Sequence, residues 1–214
     1  MNKVSMFSRF KNSVMRSSMT RKLDHFYRLC GGECSVLDVG VSDNEHHEQV
    51  NMFLNQFRFD SKYYTGLAVQ SMDKISRKHP DKRLVEYPGG TFPFGDKQFD
   101  WVFSNAVIEH VGDRDKQLQF INEMLRTGKH VFFTTSNKYF PVESHTNALF
   151  VHWFSKYFDT WCEDHNPYWN KGNLLLLSHG DLVKLLRGSN AKEYLVQKNR
   201  MLGMTMTFTV VCSG

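Results

Sequence analysis

The chain has 214 residues, of which 41% are hydrophobic and 23% charged, which is enough apolar material for one sizeable globular domain and excludes a chain that is mainly disordered. Its formal net charge of +5 is modest, and outside a His-rich aromatic stretch no aromatic and basic residues alternate as in a stacking platform, so no nucleic-acid partner is expected. Because the four cysteines form no close CxxC pair and no window has the length of a membrane span or the apolar core of a signal peptide, we expect a cytoplasmic protein with reduced thiols.

Residues 1–32 predict a basic helical segment that precedes a domain over residues 33–214. Three interpretations of this segment remain open: a targeting peptide, a helix in weak contact with a membrane surface, or an amphipathic helix packed on the domain edge. Its basic residues precede or surround the first acid, Asp24, and they are Lys3, Arg9, Lys11, Arg16, Arg21, Lys22 and Arg28.

Residues 35–40, SVLDVG, predict a buried strand that turns sharply at Gly40. Asp38 stands out in this apolar run, because a buried carboxylate is costly unless it is paired or bonded to a ligand. Asp38 is therefore either a turn-capping group or a site residue. The next predicted elements are a helix over residues 46–57, strands over 62–67 and 83–87, and a short helix over 73–78.

The stretch FPFGDKQFDWVFSNAVIEHV, residues 92–111, predicts a turn, a buried strand and a turn into a helix. Asn105 ends the strand, and helical spacing follows. Glu109 and His110 then lie where the carboxyl end of a strand faces the ligand crevice of a doubly wound sheet. We therefore expect the chemistry of the protein at this strand exit.

Strands alternate with helices up to residue 136, which predicts an α/β fold: a Rossmann-like, doubly wound, mostly parallel sheet with an antiparallel closing strand. Residues 137–172 are rich in aromatic residues and histidine, and they predict a lid-like insertion at the carboxyl edge of the sheet. An aromatic patch that serves as core or as a dimer surface is the alternative, so the oligomeric state stays open. The remaining predicted elements are a helix over residues 114–125, a strand over 129–135, helical spacing over 173–186 and a closing strand over 204–212.

The order of SVLDVG, FPFGDKQFDWVFSNAVIEHVG, HVFFTTSNKYFPVESHT and MLGMTMTFTVV resembles class I S-adenosylmethionine-dependent methyltransferases. More narrowly, the chain is similar to small methyltransferases found among cell-surface polysaccharide genes. The resemblance implies S-adenosylmethionine as cofactor and a small-molecule or glycan acceptor, methylated on oxygen or nitrogen. An NAD-dependent oxidoreductase is disfavoured, because the chain lacks GxGxxG.

The resemblance also implies a cofactor site, in which Asp38 helps bind the ammonium group and Gly40 lets the backbone approach the amino-acid tail. The chain departs from the family at two anchoring acids: Ala68 or Val69 stands where relatives accept from the ribose, and Pro88 where they accept from adenine. A catalytically weak or inactive scaffold protein is therefore the alternative function. The cofactor-binding residues predicted are Asp38, Gly40, Ser42, Gly66, Ala68, Gly89, Asn105, Ala106 and Glu109.

His110 and His145 are the predicted catalytic bases, because one follows the fourth strand and the other the fifth. Glu143 is positioned in sequence to orient either ring. For both histidines the alternative is a packing and hydrogen-bonding role. No metal site is expected, because the spacing of His145, His152, Cys162 and His165 matches no tight ligand pattern.

Overall fold

The structure is a computed structural model that describes residues 6–44, 50–170 and 172–214, with side chains from Ser13 onward. The chain divides into two compact units, Met1–Tyr87 and Pro88–Gly214. The domain boundary predicted after residue 32 stays a prediction. No helix among the described residues combines the length and the apolar character needed to cross a membrane.

The first unit contains three parallel strands in the order β3-β2-β1. Asp38 on β1 lies opposite Gly66 on β2, and Ala68 lies opposite Glu86 on β3. Because the strands are parallel, their carboxyl ends meet at one edge of this unit. The elements are α1 (Met6–Cys30), β1 (Val36–Val39), α2 (Met52–Asn55), a 3-10 turn (Ser61–Tyr63), β2 (Tyr64–Ala68), α3 (Asp73–Lys78) and β3 (Arg83–Glu86).

Helix α1 packs against its own unit with one apolar face. Met19, Leu23 and Phe26 recur at helical spacing and are buried. The ring of Phe26 meets the ring of Phe53 edge-on at a centroid distance of 5.2 Å. This packing is what the amphipathic-helix interpretation of the basic segment predicts for its described part. Weak contact with a membrane surface stays a prediction.

The helix predicted over residues 46–57 is wrong in extent, because α2 covers a single turn. Part of the predicted helix, residues 46–49, lies outside the described residues. Asn51 has a left-handed φ of 55° just before α2 begins. Phe57 lies beyond α2, and its ring contacts that of Tyr64 at 5.1 Å. The apolar spacing thus reflects an aromatic cluster as well as a helix.

The second unit contains strands in the order β4-β5-β7-β6. Strands β4 and β5 are parallel, whereas β7 runs antiparallel to both β5 and β6. The elements are β4 (Phe99–Asn105), a 3-10 turn (Ile108–His110), α4 (Arg114–Thr127), β5 (Gly128–Ser136), a 3-10 turn (Val151–Trp153), α5 (Ser155–His165), α6 (His179–Gly188), β6 (Glu193–Met201) and β7 (Met204–Ser213).

The predicted fold class is confirmed: the described residues form seven mostly parallel strands with helices, a Rossmann-like α/β fold, and β7 is the antiparallel closing strand. Strand β6 was not predicted. Its side chains are largely exposed, including Tyr194 and Leu195, so it lacks the apolar run of a buried strand. Helical structure near residues 173–186 begins later than expected, at His179.

The core of the second unit lies between its strands and helices. Phe103 on β4 stacks on Phe132 on β5 at a centroid distance of 5.6 Å, and both are fully buried. Ile121 on α4 and Leu182 on α6 are also fully buried. Residues 137–172 follow β5 and contribute to a small apolar cluster of their own, formed by Ala148, Phe158, Cys162, Leu174 and Leu176.

Candidate active site

Asp38 lies within β1 and is buried, although its neighbours in the strand are apolar. Its Oδ2 atom accepts a hydrogen bond of 2.6 Å from the Tyr64 hydroxyl on β2. Burial raises the pKa of Asp38 to about 7, and the Tyr64 hydrogen bond offsets part of this effect. The bond goes to the neighbouring strand and not to the turn, and a role of Asp38 in binding a ligand stays a prediction. Tyr64 carries no motif that would have revealed this partnership from sequence.

The turn after β1 has the backbone geometry that its glycine permits. Gly40 has a φ of 101°, and its N–H donates to the Leu67 carbonyl at 2.9 Å. Ser42 and Asn51 then close the loop reciprocally: the Ser42 N–H donates to Asn51 Oδ1 at 2.9 Å, and Asn51 Nδ2 donates to the Ser42 carbonyl at 2.7 Å. A side-chain amide thus holds this loop.

The exit of β2 carries no acid in its first two positions: Ala68 is buried and Val69 is 67% exposed. Gln70 follows, and its Nε2 donates to the Ser42 hydroxyl at 3.0 Å. Asp43 Oδ1 accepts from the backbone N–H groups of residues 74 and 75 at the start of α3, at 2.8 and 2.9 Å. These bonds use Gln70 Nε2 and Asp43 Oδ1, and each side chain has a further oxygen that is an acceptor by its chemistry.

Gly66 and Gly89 differ in their surroundings, although both were predicted to border the cofactor. A Cβ atom added to Gly66 would lie 2.6 Å from Leu84 Cδ2, so any larger residue there would force the Leu84 side chain to shift. Gly89 has a φ of 93°, and a Cβ atom there would meet nothing within 4 Å. Packing thus explains Gly66, and turn geometry explains Gly89.

In the second unit, Asn105 and Ala106 form the exit of β4 and are tied to β5. Asn105 Oδ1 accepts from the Thr134 hydroxyl at 2.7 Å. Ala106 has a φ of 54°, and its N–H donates to the Thr134 carbonyl at 3.0 Å. A positive φ is uncommon for alanine and marks a constrained turn.

Glu109 is fully buried in the 3-10 turn that follows this exit. Its Oε2 accepts from the Thr135 hydroxyl at 3.0 Å, and its Oε1 accepts from the Ser136 N–H at 3.3 Å. Its backbone carbonyl accepts from the Leu175 N–H at 2.8 Å. The carboxylate is therefore held at the carboxyl end of β5, beside the two predicted catalytic histidines.

His110 and His145 are in direct contact, with 3.1 Å between their Nε2 atoms. His110 Nδ1 lies 2.9 Å from the Asn173 carbonyl oxygen, and His145 Nδ1 lies 2.6 Å from Glu143 Oε1. A carbonyl or carboxylate oxygen only accepts, so each Nδ1 carries the proton and donates. Both Nε2 atoms consequently direct a lone pair toward the same point when the rings are neutral.

Glu143 is buried, and it holds the ring of His145 in place. Burial raises the pKa of Glu143, but the hydrogen bond and charge of His145, with the N–H groups of residues 145 and 146, outweigh this and lower it to about 2. The ring of Trp169 covers both imidazoles, at centroid distances of 5.4 Å from His110 and 5.0 Å from His145. Sequence reasoning identified Glu143 as the orienting group but missed Trp169.

The other two histidines weighed as metal ligands lie in different contacts. His152 Nε2 donates to the Phe140 carbonyl at 2.8 Å. His165 is exposed, and its Nδ1 donates to the Trp161 carbonyl at 3.0 Å. The group of possible metal ligands that the described residues bring together is instead Glu109, His110 and His145.

Solved structures with this fold include several methyltransferases. A SAM-dependent methyltransferase from Methanosarcina mazei has a TM-score of 0.55 at 14% identity, over 85% of this chain and 92% of that one. The Burkholderia thailandensis 1,6-didemethyltoxoflavin-N1-methyltransferase, solved with S-adenosylhomocysteine, has a TM-score of 0.56 at 16% identity, over 92% and 76%. The magnesium protoporphyrin IX methyltransferase from Synechocystis PCC 6803, also solved with SAH, has a TM-score of 0.59 at 8% identity, over 100% and 90%.

These identities establish likeness of fold. No curated protein matches the sequence of the chain. Residues 37–133 match the family model described as a methyltransferase domain, and this match runs from β1 through β5. Residues 37–133 therefore match a methyltransferase domain, and the fold of the described residues is the one that SAM-dependent methyltransferases share.

Proposed function

We propose that this protein transfers a methyl group from S-adenosylmethionine to an oxygen or nitrogen of a small molecule, with a sugar hydroxyl as the first acceptor to test. The methyltransferase domain supports the reaction class. The observation that carries the proposal is the contact between His110 and His145, backed by Glu143. This contact supplies a group able to accept a proton at the exit of two parallel strands.

On the cofactor side, the residues of the first unit fit a zwitterionic ligand. Burial raises the pKa of Asp38 to about 7. An ammonium group beside Asp38 would lower this pKa and favour the charged carboxylate. Gly40 adopts a positive φ at the turn. Because glycine has no side chain, a ligand can approach the backbone closely there. When bound, S-adenosylmethionine supplies a methyl group on a sulfonium, which is already a good leaving group.

On the acceptor side, the histidine pair takes up the proton that the acceptor loses. A lone pair of the acceptor oxygen or nitrogen forms the new bond to the methyl carbon, and the carbon–sulfur bond breaks with its electrons passing to sulfur. The proton passes to an Nε2 atom and is shared between His110 and His145. Glu143, held in its charged form, balances the positive charge on His145.

The alternative is a methyltransferase-fold protein that binds partners without turnover. Ala68 and Pro88, at the places where relatives carry anchoring acids, motivate it. Each missing charge-assisted hydrogen bond weakens cofactor binding by roughly 1.5 to 3 kcal/mol, so losing two shifts a micromolar dissociation constant toward the millimolar range. The enzyme and the scaffold therefore differ first in cofactor affinity.

The decisive experiment is a calorimetric titration of the purified protein with S-adenosylmethionine and S-adenosylhomocysteine. We expect saturable binding of both ligands, weakened by Asp38→Ala and unchanged by Asp164→Asn, which alters an exposed acid on α5. Absence of a response at millimolar ligand would refute the enzyme and favour the scaffold.

Turnover is then measured as S-adenosylhomocysteine released in the presence of monosaccharide and small amine acceptors. We expect His110→Gln and His145→Gln to lose turnover while their cofactor affinity stays at the wild-type value. Loss of folding in both variants, seen by circular dichroism, would instead support the packing role of these histidines.

A further inference from the structure

The contact between His110 and His145 leaves an electrostatic conflict inside the candidate active site. With each Nδ1 donating to an oxygen atom, both neutral rings direct the lone pairs of Nε2 at each other across 3.1 Å. Two lone pairs at that distance repel, and Trp169 shields the rings from water on one side. Either a proton on one of the two Nε2 atoms or a metal ion bound by both removes the conflict.

We infer that Glu109, His110 and His145 form a binding site for a divalent first-row transition metal such as Zn²⁺. Their ligand atoms lie within 4.8 Å of one another. Imidazole nitrogen with a carboxylate oxygen is a donor set that such ions accept, and three protein ligands leave a coordination position open. The spacing of these residues along the sequence does not reveal such a site, because the three residues come together through the parallel pairing of β4 and β5.

The distance between the two nitrogens suits a shared ion. Zinc binds imidazole nitrogen at about 2.0 to 2.1 Å, so two nitrogens 3.1 Å apart subtend an angle of about 95 to 100° at the metal. Ligand atoms of one such ion lie at most about 4.2 Å apart, and the three ligand atoms here lie within 4.8 Å of one another, so a shift of at most about 0.6 Å brings all of them into range. The two oxygens of the Glu109 carboxylate each accept one protein hydrogen bond, and each keeps a further lone pair for the metal.

The hydrogen bonds that the two histidine ligands make through their other ring nitrogens are those typical of a metal site. A metal-binding histidine usually donates its other ring N–H to a carboxylate or a backbone carbonyl, which fixes the tautomer and the ring orientation. Glu143 serves His145 in this way, and the Asn173 carbonyl serves His110. Gln117 on α4 also donates to the carbonyls of Ile108 and Leu175, which fixes both backbone segments that carry these contacts.

The catalytic use of this metal rests on the proposed function, although metal binding itself does not. An acceptor hydroxyl bound at the open position would lose its proton more readily, because a divalent ion stabilises the oxyanion. With the metal bound, His110 and His145 would act as its ligands in place of the role as proton acceptor proposed above, and the proton of the acceptor would pass to solvent.

The test is metal binding by the full chain after treatment with a chelator and removal of the chelator. Zn²⁺ is titrated by calorimetry, and Co²⁺ is titrated by visible absorption, which reports coordination by nitrogen and oxygen. We expect one ion per chain, and at least about tenfold weaker binding in His110→Gln, His145→Gln and Glu109→Gln. His165→Gln, which removes an exposed histidine of α5, should bind as the wild type does.

Glu143→Gln tests the orienting contact, because it keeps the size of the side chain. We expect binding about 10- to 100-fold weaker than in the wild type, with the visible spectrum of bound Co²⁺ shifted. Circular dichroism of each metal-free variant identifies any that fail to fold. A folded wild-type chain that binds neither ion, or binds them equally well in His110→Gln and His165→Gln, would overturn the inference. Cofactor binding without metal binding would refute the metal site alone, and the reverse would refute the proposed function alone.

Discussion

Replacement of Asp38 by asparagine should make the stability of the protein less dependent on pH. Asparagine keeps an oxygen acceptor for the Tyr64 hydroxyl and has no ionisable proton. Burial raises the pKa of Asp38 from 3.8 to about 7, so between these two values the folded chain holds a proton that the unfolded chain has released. The contribution of Asp38 to the free energy of unfolding therefore falls as pH rises through this window.

The magnitude follows from the two pKa values of this group. Between pH 5 and pH 8 the wild type should lose about 2 to 3 kcal/mol of stability through Asp38 alone. Asp38→Asn should lack this part of the pH dependence and be the more stable protein at pH 8. The assay is urea unfolding followed by circular dichroism at several pH values, with Asp164→Asn as the control at an exposed position.

Parallel stability profiles of the wild type and Asp38→Asn from pH 5 to pH 8 would refute the reasoning, because they would mean that Asp38 is already ionised at pH 5. The same titration connects stability to binding. If the ammonium of S-adenosylhomocysteine requires the charged carboxylate, affinity for this ligand should rise between pH 5 and pH 8 in the wild type. That rise should be absent from Asp38→Asn.

Two further substitutions test the packing of each unit by urea unfolding. Gly66→Ala should destabilise the chain by about 1 to 3 kcal/mol, because the added methyl group meets Leu84 at 2.6 Å. The control is Gly32→Ala, whose methyl group would meet nothing within 4 Å and should change stability by less than about 0.5 kcal/mol. Equal effects of the two substitutions would contradict the packing argument. Arg126→Met should cost about 2 kcal/mol, because Arg126 bonds Glu123 and two backbone carbonyls of the loop before β4; an unchanged midpoint would show that these bonds are replaced by water without loss.

The sequence located β1, β4 and β5 from their apolar runs and β7 from its alternation. Strand β4 is buried along almost its whole length, so its side chains had to be apolar on both faces. Strand β6 escaped prediction because its side chains face solvent and leave little hydrophobic signal. The helix predicted around α2 failed for the opposite reason, since aromatic side chains in helical register also pack after the helix has ended.

The contact between the two histidines followed from topology, whereas its surroundings did not. His110 comes after β4 and His145 after β5, and parallel pairing of these strands brings their exits together. The partner of His110 is a backbone carbonyl at residue 173, which every amino acid would offer. Trp169 lies in a segment without periodicity, so no pattern connected its ring to the histidines. Tertiary contacts made by irregular segments are what sequence periodicity cannot supply.

Because the chain is predicted to lack two acids that bind the cofactor in relatives, Asp38 should contribute a larger share of cofactor binding. An enzyme with acids at the ends of its second and third strands would divide the recognition of the cofactor among three charged contacts. The resemblance predicts Ala68 and Pro88 at those places, and the loop acid Asp43 already caps α3. If the protein is a methyltransferase, the ionisation of Asp38 should then control cofactor affinity more strongly than in such an enzyme. An affinity for S-adenosylhomocysteine that is high and independent of pH would show that other groups of this chain hold the cofactor.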